Sequence, residues 1–127
     1  MKLYVNEIVR TNNFEDDDIM NKILGMWDTF YKKNDDYKGE VYAIYHDYES
    51  DYKGDYSLAL CTEDISSDKF FEVDFANSIE YKCSGKDEIA NVWKRIWEDE
   101  EENKIQRKYD IDCEEYKEDG SVVIHLF

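Results

Sequence analysis

Apolar side chains recur at helical spacing in two segments of the chain, which predicts two amphipathic helices. The first segment covers residues 18–33, and its apolar stripe consists of Ile19, Ile23, Trp27 and Phe30. The second covers residues 87–103, and its apolar face consists of Ile89, Trp93 and Ile96, with Trp97 beside them. Ser84 followed by Asp87 fits a capping box before the second helix. Each helix therefore has one face to bury against another element.

A strand-like segment precedes each predicted helix, and a predicted β-hairpin follows each one. The hairpins cover residues 41–60 and 109–127, and the second of them turns at Asp119-Gly120. The strand before the second helix, residues 70–85, is irregular near Ala76. The order of strand, helix and hairpin therefore occurs twice along the chain.

Trp27 and Trp93 occupy matching places in the two helices, about half the chain apart. We therefore predict a single α+β domain over residues 1–127, built from two βαββ repeats of about 1–65 and 66–127. A pseudo-two-fold axis would relate the repeats, which would form an antiparallel sheet with two main helices. A central cleft between the repeats is the expected ligand site.

The charge of the chain restricts its partners. Asp and Glu total 32 against 16 Lys and Arg, so the net charge is −16. Such a surface repels phosphate backbones and attracts cations, which disfavours direct nucleic-acid binding. The sequence contains no signal peptide and no apolar run of membrane-spanning length, so we expect a cytoplasmic protein that does not contact a membrane.

The cysteines and histidines do not form a recognisable metal or redox motif. Cys61, Cys83 and Cys113 are widely spaced and odd in number, so we predict free buried thiols and no metal or other cofactor. His46 and His125 are the only histidines. Their spacing leaves a Ser-His-Asp arrangement open, although no nucleophile-elbow motif accompanies them.

Four stretches of the chain carry a family resemblance: "VRTNNFED", "GEVYAIYHDYESDYKGDYSLAL", "ANVWKRIWE" and "YDIDCEEY". They resemble the first strand end, first hairpin, second helix and closing element of the gyrase-inhibitor-like, or AraC-type effector-binding, small-molecule-binding domains. The segment "VDFANSIEY" departs from the Pro-Ala-Gly-Lys-Tyr-type turn of that family, and Ser78 stands where a tyrosine is common. The resemblance therefore says least about the pocket wall at residues 74–79.

The resemblance implies a free-standing member with a central cleft for drug-like, often cationic or aromatic compounds. Glu114 is aligned with the glutamate that pairs with ligand cations in effector-binding relatives. Other members serve as effector domains of transcription regulators, some free-standing relatives are linked to gyrase protection, and some are proposed hydrolases of strained-ring compounds. Multidrug binding and a part in transcription regulation are expectations of the same kind.

Alternation along the predicted strands selects further candidates. Ile111 and Cys113, with Tyr109, form the face of their strand that we expect under the helices, whereas Glu114 and Tyr116 face solvent or a cleft. On the first hairpin, Tyr42 and Tyr48 share one face, and Tyr45 shares the other with the small Ala43. Only one of those faces can reach a cleft. The candidate ligand-binding residues are Glu114, Tyr45, Trp97, Tyr42, Tyr48, Tyr116 and Trp93.

We therefore predict a binding module rather than an enzyme. Its ligand would be an amphipathic, aromatic and cationic small molecule, held between the repeats for sensing or sequestration. Two alternatives remain open. One is a hydrolase of reactive electrophilic small molecules on the same scaffold. The other is an acidic protein-interaction module that contacts a partner such as DNA gyrase or a transcription regulator.

Overall fold

The computed structural model describes residues 1–127 and contains seven strands and two α-helices. The strands are β1 (Lys2–Asn12), β2 (Val41–His46), β3 (Asp55–Thr62), β4 (Phe70–Glu72), β5 (Ile79–Cys83), β6 (Ile111–Tyr116) and β7 (Val122–Leu126). The helices are α1 (Ile19–Lys33) and α2 (Ile89–Glu101). Neither helix has the length and apolar composition needed to cross a bilayer. These elements confirm the predicted α+β class.

All seven strands belong to one antiparallel sheet, in the order β4-β1-β3-β2-β6-β7-β5. Apart from β4, the two halves contribute β1-β3-β2 and β6-β7-β5, so the strand before each helix lies outside and the strand after it lies at the centre. Ala43 pairs with Glu114 and Tyr45 with Asp112 across the central β2–β6 ladder. This arrangement is the one predicted for two βαββ units, and it places Glu114 at the junction of the halves.

The predicted single strand at residues 70–85 is wrong. β4 pairs with β1 at one edge of the sheet, and β5 pairs with β7 at the other edge. Between them Phe75–Asn77 form a short 3-10 helix, because the Asp74 carboxylate accepts a bond from the Ala76 backbone N–H (3.2 Å) and so competes with strand pairing.

The short connection between β4 and β5 requires a curled sheet. Only residues 73–78 join the two edge strands. A fully extended connection of this length spans at most about 25 Å, whereas the edges of a flat seven-stranded sheet would lie about 29 Å apart. The sheet therefore curls into a half-barrel, and its two faces have different surroundings.

Both faces of the sheet are apolar. The helix-facing cluster under α1 comprises Met26, Phe30, Val41, Ala43, Tyr56, Leu58 and Leu60. The cluster on the opposite face comprises Leu3, Tyr42, Ile44, Ala59, Cys61, Val73 and Cys113. Cys113 and the adjoining Ile111 therefore lie on the face away from the helices, contrary to the prediction, and Glu114 and Tyr116 face the helices. Alternation alone could not distinguish two faces that are both apolar.

The predicted capping box at Ser84 and Asp87 is also wrong. Lys86–Glu88 form a 3-10 turn that leads into α2, and no side chain of the N-cap residue caps the turn or the helix. The Ser84 hydroxyl instead donates to the carboxylate of Glu88. The turn predicted at Asp119-Gly120 is present, and Gly120 has the positive φ of 91° that favours glycine.

Candidate ligand-binding site

A cavity of about 1380 Å³ lies between α1 and α2, over the helix-facing surface of the sheet. Both helices, the β2–β3 hairpin and β6 contribute to its walls, and 18 of its 28 lining residues are hydrophobic. Small-molecule sites usually have volumes of about 300–1,000 Å³ and mainly apolar walls. The cavity can therefore hold a ligand with several rings.

Glu114 is the buried acid of this cavity. Its residue is only 3% exposed, and its carboxylate accepts three hydrogen bonds from neutral donors. The Tyr45 hydroxyl and the Trp93 indole N–H donate to Oε2 at 2.7 Å and 2.6 Å, and the Tyr116 hydroxyl donates to Oε1 at 2.6 Å. Burial raises the pKa of Glu114, and the three donors partly oppose that rise.

No lysine or arginine forms a salt bridge with Glu114. The rings of Tyr45 and Trp93 meet edge to face at 5.2 Å between centroids, beside the carboxylate. A buried carboxylate gains most from a cation when the surroundings exclude water and supply aromatic faces. This arrangement can therefore pair with the cationic group of a ligand.

A second buried carboxylate, that of Asp112, already has a partner within the chain. Arg107 Nη2 lies 2.7 Å from Asp112 Oδ2, and both side chains are 2% exposed. The Tyr48 hydroxyl donates to the same oxygen at 2.6 Å. The guanidinium also lies over the rings of Tyr109 and Trp93, at 4.3 Å and 5.4 Å from their centroids. Asp112 is thus neutralised internally, whereas Glu114 is not.

The two tyrosines predicted to share one face, Tyr42 and Tyr48, lie in different places. Tyr42 is buried on the face away from the helices, packs against Phe75 and donates to Glu40 at 2.9 Å. Tyr42 therefore lies outside the cavity, contrary to its selection as a candidate ligand-binding residue. Tyr48 lines the cavity, because Asp47 has a φ of 52° and interrupts the strand alternation just before it.

Aromatic rings from three segments form one end of the cavity. Trp97 of α2 stacks on Tyr52 of the β2–β3 turn, with centroids 4.9 Å apart and planes 11° apart. Phe14, from the loop before α1, contacts Trp97 at 5.7 Å. The structure therefore places the candidate residue Trp97 in the cavity wall, together with Tyr52 and Phe14, which were not among the candidates.

The structure adds other lining residues that sequence patterns did not reveal. Trp27, which occupies the place in α1 that matches Trp93 in α2, lines the cavity and meets Tyr116 edge to face at 4.8 Å. Tyr56, Lys86 and Arg107 also contribute to the lining. The helical stripe that contains Trp27 was the only available signal, and a stripe of that kind cannot distinguish a cavity wall from a packed core.

Ser78, His125 and Glu115 come together on the other face of the sheet. His125 Nδ1 lies 2.9 Å from Ser78 Oγ, and His125 Nε2 lies 3.0 Å from Glu115 Oε1. The Ser78 hydroxyl also donates to the backbone carbonyl of Phe75 at 2.8 Å, and His125 is only 2% exposed. None of these residues lines the cavity, and their bonds tie the 3-10 turn to β6 and β7.

Two comparisons with known proteins find similar chains. Residues 6–127 match the family model described as Cass2, integron-associated effector binding protein. Among solved structures, the chain is similar to the integron cassette protein VCH_CASS2 from the mobile metagenome of Vibrio cholerae, with 24% sequence identity and a TM-score of 0.80. That match covers 99% of this chain and 88% of the other, and at this identity it supports the fold alone. No curated protein sequence matches.

Proposed function

The chain belongs to the Cass2 family of integron-associated effector binding proteins, and we propose that it binds an amphipathic, aromatic, cationic small molecule in the cavity between α1 and α2. Membership of an effector-binding family indicates a small-molecule ligand. The observation that carries the more specific proposal is Glu114, a buried carboxylate in a mainly apolar cavity with three neutral donors and no cationic partner.

Charge at the rim of the cavity favours a cation over an anion. The acidic residues that line it, besides Glu114, are Asp28, Glu98, Glu101 and Glu102. In a chain of net charge −16, this acidic rim raises the local concentration of cations and lowers that of anions. Electrostatic steering and the carboxylate of Glu114 therefore select the same sign of ligand charge.

The aromatic walls favour a flat ligand. The rings that line the cavity belong to Phe14, Trp27, Tyr31, Tyr45, Tyr48, Tyr52, Tyr56, Trp93, Trp97 and Tyr116. Such rings offer stacking surface to an aromatic ligand and negative π faces to its positive charge. A delocalised aromatic cation uses both properties. Reversible binding of such compounds would serve to sense or sequester them.

Binding of N-methylacridinium, a permanent cation, tests the proposal against acridine, which is the same ring system without charge at mildly alkaline pH. We expect the Glu114→Gln variant to bind the cation about 30-fold more weakly or worse, because removal of one member of a buried charge pair costs about 2 kcal/mol or more. Acridine affinity should change little. Fluorescence titration gives both affinities, and ligand-induced thermal stabilisation provides an independent measure.

Glu98→Gln is the matched control, since Glu98 is an exposed acid of the cavity rim. It should weaken cation binding only slightly. Equal losses in Glu114→Gln and Glu98→Gln would refute a specific role for Glu114. Recovery of the probe unchanged after incubation agrees with a binding protein, whereas a product that disappears in Glu114→Gln would favour the hydrolase alternative.

A further inference from the structure

Lys86 brings a positive charge of the protein itself to the aromatic wall of the cavity. It belongs to the 3-10 turn before α2 and lines the cavity. Its Nζ lies 5.8 Å from the ring centroid of Trp27 and 5.9 Å from that of Tyr116. Both distances are within the range of a cation–π contact, which extends to about 6 Å.

The charge of Lys86 has no carboxylate partner. It forms no salt bridge, although acidic residues outnumber basic ones two to one in this chain. Its ammonium group lies near the aromatic rings of Trp27 and Tyr116, and the hydroxyl of Tyr116 donates to Glu114. Lys86 therefore approaches the rings that a ligand cation beside Glu114 would use.

We propose that Lys86 is a resident cation of the cavity, which a cationic ligand must displace from Trp27 and Tyr116 in order to bind. This inference rests on the proposed function. Displacement is feasible because Lys86 is exposed, so its flexible side chain can turn into solvent. The lysine lowers the affinity for cations by competing for the rings and by repelling a like charge.

Replacement of Lys86 should therefore tighten the binding of a cation. An exposed cation–π contact corresponds to an affinity change of about two- to fivefold. We expect Lys86→Gln to bind N-methylacridinium more tightly than the wild type by at least this factor. Lys86→Arg, which keeps the charge and also stacks on aromatic rings, should show no such gain.

Lys94→Gln is the control for loss of a positive charge as such. Lys94 is an exposed lining residue of α2 that forms no cation–π contact. Its replacement should alter the dissociation constant of N-methylacridinium less than replacement of Lys86. Equal gains in N-methylacridinium affinity in Lys86→Gln and Lys94→Gln would mean that loss of any positive charge explains the effect. That result would overturn the proposal. No gain in Lys86→Gln, or a loss, would overturn it as well.

A ligand-free measurement tests the position of Lys86 separately. Ring currents from Trp27 and Tyr116 should move the NMR signals of the Lys86 ε-methylene protons upfield, and Trp27→Leu should reduce this shift. Titration with N-methylacridinium should return the signals toward those of a solvated lysine. Unshifted signals in the free protein, or signals that stay upfield when the ligand saturates the site, would contradict the proposal.

The outcomes separate the two proposals. If the wild type binds the cation through Glu114 but Lys86→Gln brings no gain, only the role of Lys86 fails. If neither protein binds the cation, the proposed function fails and the competition fails with it. If Lys86→Gln binds the cation and the wild type does not, Lys86 blocks the site and the proposed function of the wild type fails for this probe.

Discussion

Tyrosines and acidic residues are joined in pairs throughout this protein. Hydroxyls of Tyr45 and Tyr116 donate to Glu114, and other hydroxyls donate to carboxylates of the acidic run at residues 98–102. Burial and the Asp99 carboxylate raise the pKa of Tyr81 to about 12, so its hydroxyl remains a donor at neutral pH.

The affinity for a permanent cation should fall as the pH drops through the pKa of Glu114. Burial raises this pKa above the ordinary glutamate value of 4.5, and the protonated carboxyl no longer attracts a positive charge. Fluorescence titration of N-methylacridinium from neutral to mildly acidic pH measures the loss. Glu114→Gln should lack this step, and parallel pH profiles for the two proteins would contradict the assignment.

At the scale of elements, the ends of strands decide which side chains reach the cavity. β2 ends at His46, and Asp47 then adopts a left-handed backbone conformation that reverses the side expected for Tyr48. The 3-10 helix at Phe75–Asn77 likewise separates β4 from β5. In both places a polar residue permits a local conformation that a strictly alternating strand would exclude.

Asp47→Val should lower the free energy of unfolding by about 1 kcal/mol or more, because a β-branched residue is strained at the φ of 52° observed there. Asp47→Gly is the matched control, since glycine accepts this conformation without strain and both variants remove the exposed salt bridge to Arg10. Urea denaturation measures the free energy of unfolding of both variants. Equal destabilisation by valine and glycine would mean that the side chain of Asp47, rather than its backbone, matters.

At the scale of the molecule, an apolar cavity with a buried acid is retained at the junction of two halves. Asp112 of the same strand is neutralised by Arg107, while Glu114 remains without a cation. An ionised carboxylate in such a place lowers the stability of the folded protein. Under the proposed function, the same arrangement prepares the site for a ligand cation.

The stability of the wild type relative to Glu114→Gln should fall as the pH rises. Because the pKa of Glu114 is raised in the folded protein, the folded state retains a proton that the unfolded chain has already lost. The decline begins near the ordinary glutamate pKa of 4.5 and ends above the raised value. Urea denaturation of both proteins across this pH window measures the difference in their free energies of unfolding. A difference that stays constant or grows with pH would contradict the predicted sign.

The sequence alone determined most of the elements and several residues of the cavity wall. The two helices, the hairpins and their twofold order follow from local periodicity, which each segment carries by itself. Glu114 and Tyr45 were selected by family resemblance and by the small neighbour Ala43, and the structure brings both together in the cavity. That they bind a ligand remains a prediction.

The tertiary structure decided what periodicity leaves open. Alternation divides a strand into two faces, but both faces here are apolar, so only the folded sheet shows which face lies under the helices. The hydrogen bond from Tyr45 to Glu114 and the approach of Lys86 to Trp27 join residues that are far apart in the chain. Such contacts depend on how the halves pack together, because no local pattern encodes a distance between distant residues.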